Sequence, residues 1–289
     1  MRPQQLLEIV NAWHGTTFQL VGRYPQGENG AFAVVDRTGR RGVFKREPAA
    51  RELGRLREIA ALTARLRDGG YPAPEYLVVG DIPGGCYSIQ EELPGTPQPH
   101  VPVALVPRLI ALNLAQRGQG FVAPNRGEWP DRVINPVLYG GDGYCLLDSL
   151  RTYSAATAGL LNTLQNLVAA GADARYETGD IVHFDFNPAN ILIDDGRVGG
   201  VVDWQDPCAG DCAFDLVTLF YYSYDDSPDV RDLLWRHLIA RVSPAVLGAY
   251  LAHMALRQVD WSIRFYDHAT VARWLRVSRA VLRDARALI

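Results

Sequence analysis

His183-Phe184-Asp185-Phe186-Asn187-Pro188-Ala189-Asn190 runs into Ile191-Leu192-Ile193-Asp194, then Asp195-Gly196, then Val198 to Val202, and ends on Asp203-Trp204-Gln205. An Asp-Gly pair between apolar runs predicts a β-hairpin closed by a two-residue turn. With Asp195 and Gly196 at the turn, Asp194 faces Arg197 and Asn190 faces roughly Val201. The chain entering the first strand then runs beside the chain leaving the second. Asn190 and Asp203 become neighbours, with Asp185 one loop away. Two carboxylates and a carboxamide at a sheet edge suit a hard, oxygen-ligated cation such as Mg²⁺. Metal-assisted phosphoryl transfer needs such a cluster, a group to orient the attacking hydroxyl, and a cation on the nucleotide phosphates. Asp185 fits the orienting role.

The cation is singled out by composition. The chain has 29 basic residues, and Lys45 is the only lysine among them. A compact ammonium and a planar guanidinium are not interchangeable around a phosphate or a buried carboxylate. Lys45 closes Gly42-Val43-Phe44-Lys45, the third of three predicted strands after Phe18–Val21 and Ala31–Val35. A helix is predicted over 49–68, ended by Pro72 and Pro74, and two strands follow at Tyr76–Val79 and Cys86–Gln90. With a short helix over 4–13, these elements make a small sheet lobe. Pro94-Gly95-Thr96-Pro97 reads as a connector. From about residue 100 the spacing is helical over 103–116, 148–170, 213–223, 229–241, 243–258 and 269–288, interrupted only by the hairpin. The expectation is an α+β fold of two lobes, a small antiparallel-sheet N-terminal lobe over 1–93 and a mainly helical C-terminal lobe over 94–289.

Bulk properties exclude other classes. The 289 residues, 48% hydrophobic and 21% charged, make a folded chain. A formal charge of −3 argues against nucleic acid as a partner. No apolar run of membrane-spanning length exists, and Met1–Gln5 has no secretory apolar core, which points to the cytoplasm. Cys86, Cys145, Cys208 and Cys212 lack the spacing of a disulfide framework or a zinc site. Lys45 follows Phe44, so there is no Gly-Lys-Ser/Thr phosphate loop, and no His-Glu-x-x-His or Gly-x-Ser-x-Gly occurs.

The His-x-Asp-x-x-x-x-Asn run, the hairpin and Val201-Val202-Asp203-Trp204 resemble the aminoglycoside phosphotransferase family, which includes choline-kinase-like and other small-molecule kinases. The resemblance extends to Gly210-Asp211, Phe214-Asp215-Leu216, Lys45 and Tyr71-Pro72-Ala73-Pro74, covering about residues 18 to 223. It implies a protein-kinase-like two-lobe fold, with 1–93 as the nucleotide-binding lobe and 94–289 as the lobe of the catalytic loop and substrate site. It also implies that Asp185 is the base, that Asn190 and Asp203 hold Mg²⁺ against ATP, and that Lys45 contacts the α/β-phosphates. A helix glutamate, Glu58 or its rival Glu52, would hold Lys45. The backbone of Glu91 and Leu93 would bind adenine, and Gly27 and Gly30 would flank the nucleotide loop. His183 is expected to be a structural hydrogen-bonding residue. Members commonly carry Gly, Leu and His where this chain has Phe184, Phe186 and Asn187.

Residues 177–229 hold twelve acidic side chains against one arginine, Arg197. A negative rim would favour a cationic small-molecule substrate, with an aminoglycoside or another amine-bearing alcohol leading. Asp225, Asp226 and Asp229 read equally well as a solvated surface. Tyr221, Tyr222, Tyr224, Trp261 and Tyr266 are candidates for a pocket or for core. The competing reading is a catalytically inactive, kinase-like nucleotide-binding module acting through partners.

Overall fold

The computed structural model describes residues 2–24, 30–47, 53–82, 85–124 and 128–286. Its elements run α1 (Pro3–His14), β1 (Gln19–Arg23), β2 (Ala31–Val35), β3 (Arg41–Glu47), α2 (Leu53–Asp68), β4 (Tyr76–Ile82), β5 (Gly85–Glu91) and β6 (Thr96–Pro97). Then come α3 (Val106–Ala115), α4 (Trp129–Tyr139), α5 (Leu147–Tyr153), α6 (Ala155–Ala170), β7 (Asp180–Val182), β8 (Ile191–Asp194), β9 (Arg197–Val201) and β10 (Cys208–Gly210). Four helices finish the chain: α7 (Ala213–Ser223), α8 (Pro228–Ile239), α9 (Pro244–Phe265) and α10 (His268–Arg286). An antiparallel-sheet N-terminal lobe and a helical C-terminal lobe are present, as expected.

The first compact unit comprises Met1–Pro97, Val122–Pro124 and Ile191–Gln205. Its main sheet has the antiparallel order β1-β2-β3-β5-β4. Val34, Phe44 and Ile89 are buried with Leu6, Leu7 and Val10 of α1. Because side chains alternate along a strand, burying Phe44 turns Lys45 to the opposite face of the central strand β3. The same unit holds a three-stranded sheet, β6-β8-β9. The connector thus contains a strand, with Thr96 and Pro97 pairing Ile193 and Leu192.

The hairpin forms over the expected residues, with Asp194 opposite Arg197, but Ile191 rather than Asn190 faces Val201. The register shifts between Leu192 and Ile193, whose partners are Gly200 and Val198, so Gly199 is an extra residue in β9. The bulge has a packing reason. A Cβ on Gly199 would stand 2.3 Å from the Pro94 carbonyl oxygen, and one on Gly200 2.7 Å from Leu93 Cδ1. Only backbone fits under the connector. Ile191–Gln205 packs with the first unit, although it follows that unit's main segment by more than ninety residues. The Val201 N–H also donates to the Pro72 carbonyl (2.8 Å), and Tyr71 meets Trp204 edge to face.

The second unit comprises Gln98–Phe121, Asn125–Asn190 and Asp206–Ile289. Helix α9 is its axis, packed by α4, α5, α6, α7, α8 and α10. The stretch read as one helix over 148–170 is two, because Ser154 leaves the helical conformation and caps α6 by accepting from the Thr157 N–H. Helix α4 was hidden from a periodicity reading by Pro130 and Pro136. β7 and β10 pair antiparallel and are too short for an alternation signal. Among the described residues, no helix is long and apolar enough to cross a membrane.

Candidate active site

Lys45 and Asp203 belong to the first unit, Asp185 and Asn190 to the second. In the first unit, Lys45 Nζ donates to Asp203 Oδ1 at 2.9 Å, joining side chains 158 positions apart in sequence. Asp203 has a left-handed backbone (φ 65°), a conformation that aspartate tolerates better than most residues. It is braced on both sides. The Gln205 N–H donates to the Asp203 carbonyl, and buried Trp204 donates its indole N–H to the Val201 carbonyl.

Other expected nucleotide contacts fare differently. The buried stripe of α2 is Leu56, Ile59, Leu62, Thr63 and Leu66, which leaves Glu58 on the exposed side. Among the described residues Lys45 is ion-paired to Asp203, not to Glu58, and Glu52 lies outside the described residues. Gly27 is also outside them, while Gly30 is left-handed (φ 70°) and enters β2. The Glu91 N–H is committed to the Glu75 carbonyl (2.8 Å) and its carboxylate to Arg67 (2.6 Å), so a base could use only its carbonyl. Leu93 packs against Gly200. Next to it, Glu92 gathers Tyr24 and Arg41.

In the second unit the catalytic-loop sequence is held from behind by Asp215. Its carboxylate, buried in α7, accepts from the N–H groups of His183 (2.8 Å) and Phe184 (2.9 Å) and from Gln116 Nε2 (2.8 Å). Burial pushes the Asp215 carboxyl up, while these donors and His183 oppose the shift. His183 is buried, and its Nδ1 accepts from the Asp185 N–H (3.2 Å), the structural role expected of it. Asn190 Nδ2 donates to both the Asp185 carbonyl and Asp185 Oδ2, each at 2.9 Å. With the amide nitrogen so occupied, the carboxamide oxygen is the donor atom left for a cation.

Phe184 sits at φ 71°, where the resemblance would place glycine. Left-handed backbone at a bulky residue costs about 1–2 kcal/mol, and the ring's surroundings offset it. Phe184 stacks on Phe214 (5.2 Å, 13°) and meets Trp129 and His253 edge to face. The Arg132 guanidinium lies 4.4 Å from its centroid.

Sequence reading missed Arg257 of α9. Its Nη2 donates to Asp185 Oδ1 and its Nη1 to the Phe184 carbonyl, both at 2.8 Å. Burial alone would lower its pKa; the charge of Asp185 is the main opposing influence, and the net shift is upward. Only the basic residue within a predicted helix could have flagged it, and no local spacing links it to Asp185.

The candidate aromatics separate. Tyr221 and Tyr224 are core. Tyr222 is half-buried and accepts from Gln258 Nε2; its phenol is pushed up to about 12, first by burial and then by Asp185. Trp261 is half-buried and Tyr266 exposed. The acidic run separates too. Asp225 and Asp226 are ion-paired with Arg276 and Arg273, arginines from α10 that no local window contains. Asp180, Asp211 and Cys212 form a buried trio of metal-type donors. Its oxygens already accept from the N–H groups of Gly118, Cys212 and Ala213 and from the Tyr250 hydroxyl, so it is internal bracing.

Comparison with known proteins gives the family and the fold. Residues 23–250 match the model of the phosphotransferase enzyme family, and the chain belongs to that family. A hygromycin-B 4-O-kinase of Escherichia coli is 23% identical over 164 residues, 52% of this chain and 48% of that protein. The match therefore spans about half the length of that relative. Among solved structures, a thermostable mutant of aminoglycoside phosphotransferase APH(4)-Ia in ternary complex with ADP and hygromycin B superposes with a TM-score of 0.73. It is 16% identical, and 98% of each chain is covered. An amicoumacin kinase, hAmiN, in complex with AMP-PNP, Ca²⁺ and Ami gives a TM-score of 0.67 at 14% identity, covering 98% of this chain and 94% of that one. At these identities the structures establish the fold.

Proposed function

We propose that this chain is a kinase that moves the γ-phosphoryl group of Mg·ATP to a hydroxyl of a small molecule. The observation that carries the reading is the ion pair of its only lysine with Asp203. A strand lysine beside the hairpin aspartate is what phosphate and metal binding in this family would require. Residues 1–93 serve as the nucleotide-binding lobe and 94–289 as the lobe with the catalytic loop and acceptor site. Asp203 and Asn190 offer hard oxygens, the donor set that Mg²⁺ takes, and the cation would neutralise charge on the transferring phosphates. Lys45 passes from Asp203 to the α/β-phosphates when nucleotide binds. Gly27, Gly30 and the backbone of Glu91 and Leu93 flank and hold the nucleotide. Asp185 orients the acceptor hydroxyl and takes its proton as the oxygen bonds to the γ-phosphorus and the bond to the β,γ-bridging oxygen breaks, leaving ADP.

The acceptor class we favour is an aminoglycoside or another amine-bearing alcohol, handled in the cytoplasm. Support comes from the hygromycin-B kinase relative and from the exposed, unburied acids Glu177, Asp194, Asp195, Asp206 and Asp229. One observation favours an inactive nucleotide-binding module instead: both oxygens of Asp185 are already hydrogen-bonded, to Arg257 and Asn190. Mg·ATP consumption against a panel of aminoglycosides, macrolides, choline and amino sugars separates the two. Acceptor-dependent ADP release establishes the kinase; ATP binding with no release for any acceptor establishes the module.

A further inference from the structure

Asp185 and Phe184 share one cation, and that cation comes from outside the catalytic loop. Arg257 lies 72 positions downstream, in the middle of α9, the helix on which the second unit is assembled. Its fork has two fixed acceptors: the carboxylate of Asp185 and the backbone carbonyl of Phe184, the residue immediately before it. The same guanidinium stands 5.7 Å from the Phe184 ring centroid.

A loop residue at φ 71° with a bulky side chain persists only when its surroundings determine it. Asp215 fixes the N–H of Phe184, the aromatic nest fixes its ring, and Arg257 fixes its carbonyl. The last of these is the only one that also reaches Asp185 Oδ1. Asn190 takes Oδ2. The carboxylate is thus gripped at both oxygens by groups of opposite origin, one on its own loop and one on a packed helix.

We propose that Arg257 is a positioning residue: it sets the rotamer of Asp185 and holds the left-handed Phe184 peptide, so that the carboxylate meets the acceptor hydroxyl in a single orientation. The inference rests on the kinase reading for its catalytic part. Lysine cannot replace it fully, because a single ammonium lacks the planar fork that serves two acceptors at once.

The test uses the full chain, with Arg257→Met and Arg257→Lys, and two independent readouts. Steady-state turnover should show kcat reduced about 100-fold in Arg257→Met with KM for ATP unchanged, the size expected when a reacting group is misplaced by about 1 Å. Arg257→Lys should recover part of that loss. In an Asp185→Ala background, Arg257→Met should cost nothing further, since Arg257 acts through Asp185. Hydrogen exchange read by mass spectrometry should show residues 183–190 losing protection in Arg257→Met, with the rest of α9 unchanged. Wild-type kcat and wild-type protection in Arg257→Lys would overturn the two-acceptor role even if Arg257→Met fails to fold. A further loss in the double variant would show that Arg257 does not act through the base. A wild-type chain that turns over no acceptor sinks the kinase reading, and the exchange measurement then decides alone whether Arg257 holds the loop.

Discussion

Asp203 and Asp185 are two aspartates of near-equal exposure, each with a cation within 3 Å, yet they are held in opposite ways. Both side chains are 35% exposed, so burial does not distinguish them. Their partners do. Lys45 ends in a compact ammonium on a flexible stem, bound to one carboxylate oxygen. Arg257 bonds a carboxylate and a backbone carbonyl together and is rooted in the central helix of its unit. On the proposed reading the first pair is exchanged when nucleotide binds and the second stays. A family that transfers phosphoryl groups needs both: a cation that follows the nucleotide and a base that does not wander.

The sharpest way to break that contrast is Asp185→Ala. Turnover should fall about 1,000-fold or more while ATP affinity, measured by calorimetry, stays near wild type. Joint loss of nucleotide binding and of the melting transition would make Asp185 structural and the contrast empty. Lys45→Arg comes next. It keeps the charge and loses the compact point donor, so kcat/KM for ATP should drop about 100-fold with acceptor KM unchanged. An arginine at 45 that works as well as lysine would mean that exchangeability is not the property in use.

Gly200→Ala probes the connector side. Its Cβ would strike Leu93 at 2.7 Å, and overpacking of this kind costs about 1–3 kcal/mol. Urea denaturation should register that loss, with a rise in KM for ATP because Leu93 is displaced. The last probe addresses the nest behind Arg257. Burial pushes His253 down from 6.5 to about 4, so the folded protein disfavours its charged form. Its stabilising contribution is complete above about pH 6.5 and is lost as pH falls toward 4, at about 1.4 kcal/mol per pH unit. His253→Gln should flatten that part of the stability curve; an unchanged slope would place the acid-sensitive group elsewhere.

Much of this was legible from residues alone, and what was missed has common causes. The Asp-Gly turn, the five apolar segments bounded by turn residues and the solitary lysine are local signals, and they located the hairpin, β3 and the Lys45–Asp203 axis. The register came out one residue off, because the extra Gly199 answers to Pro94, a hundred positions earlier. Arg257, Arg273 and Arg276 were invisible as partners, since helix spacing says which face is buried but not which loop that face meets. Sequence spacing alone does not separate Glu58 from Glu52, and the buried stripe of α2 turns Glu58 outward. Tertiary pairing decides such cases.

Because lysine occurs once, at position 45, amine chemistry on this chain has one side-chain target. An amine-reactive reagent would leave a single mass tag there, apart from any at the chain's own terminus. Nucleotide occupancy could then be titrated by intact-mass spectrometry, with no mutation, no fluorophore and no knowledge of the acceptor.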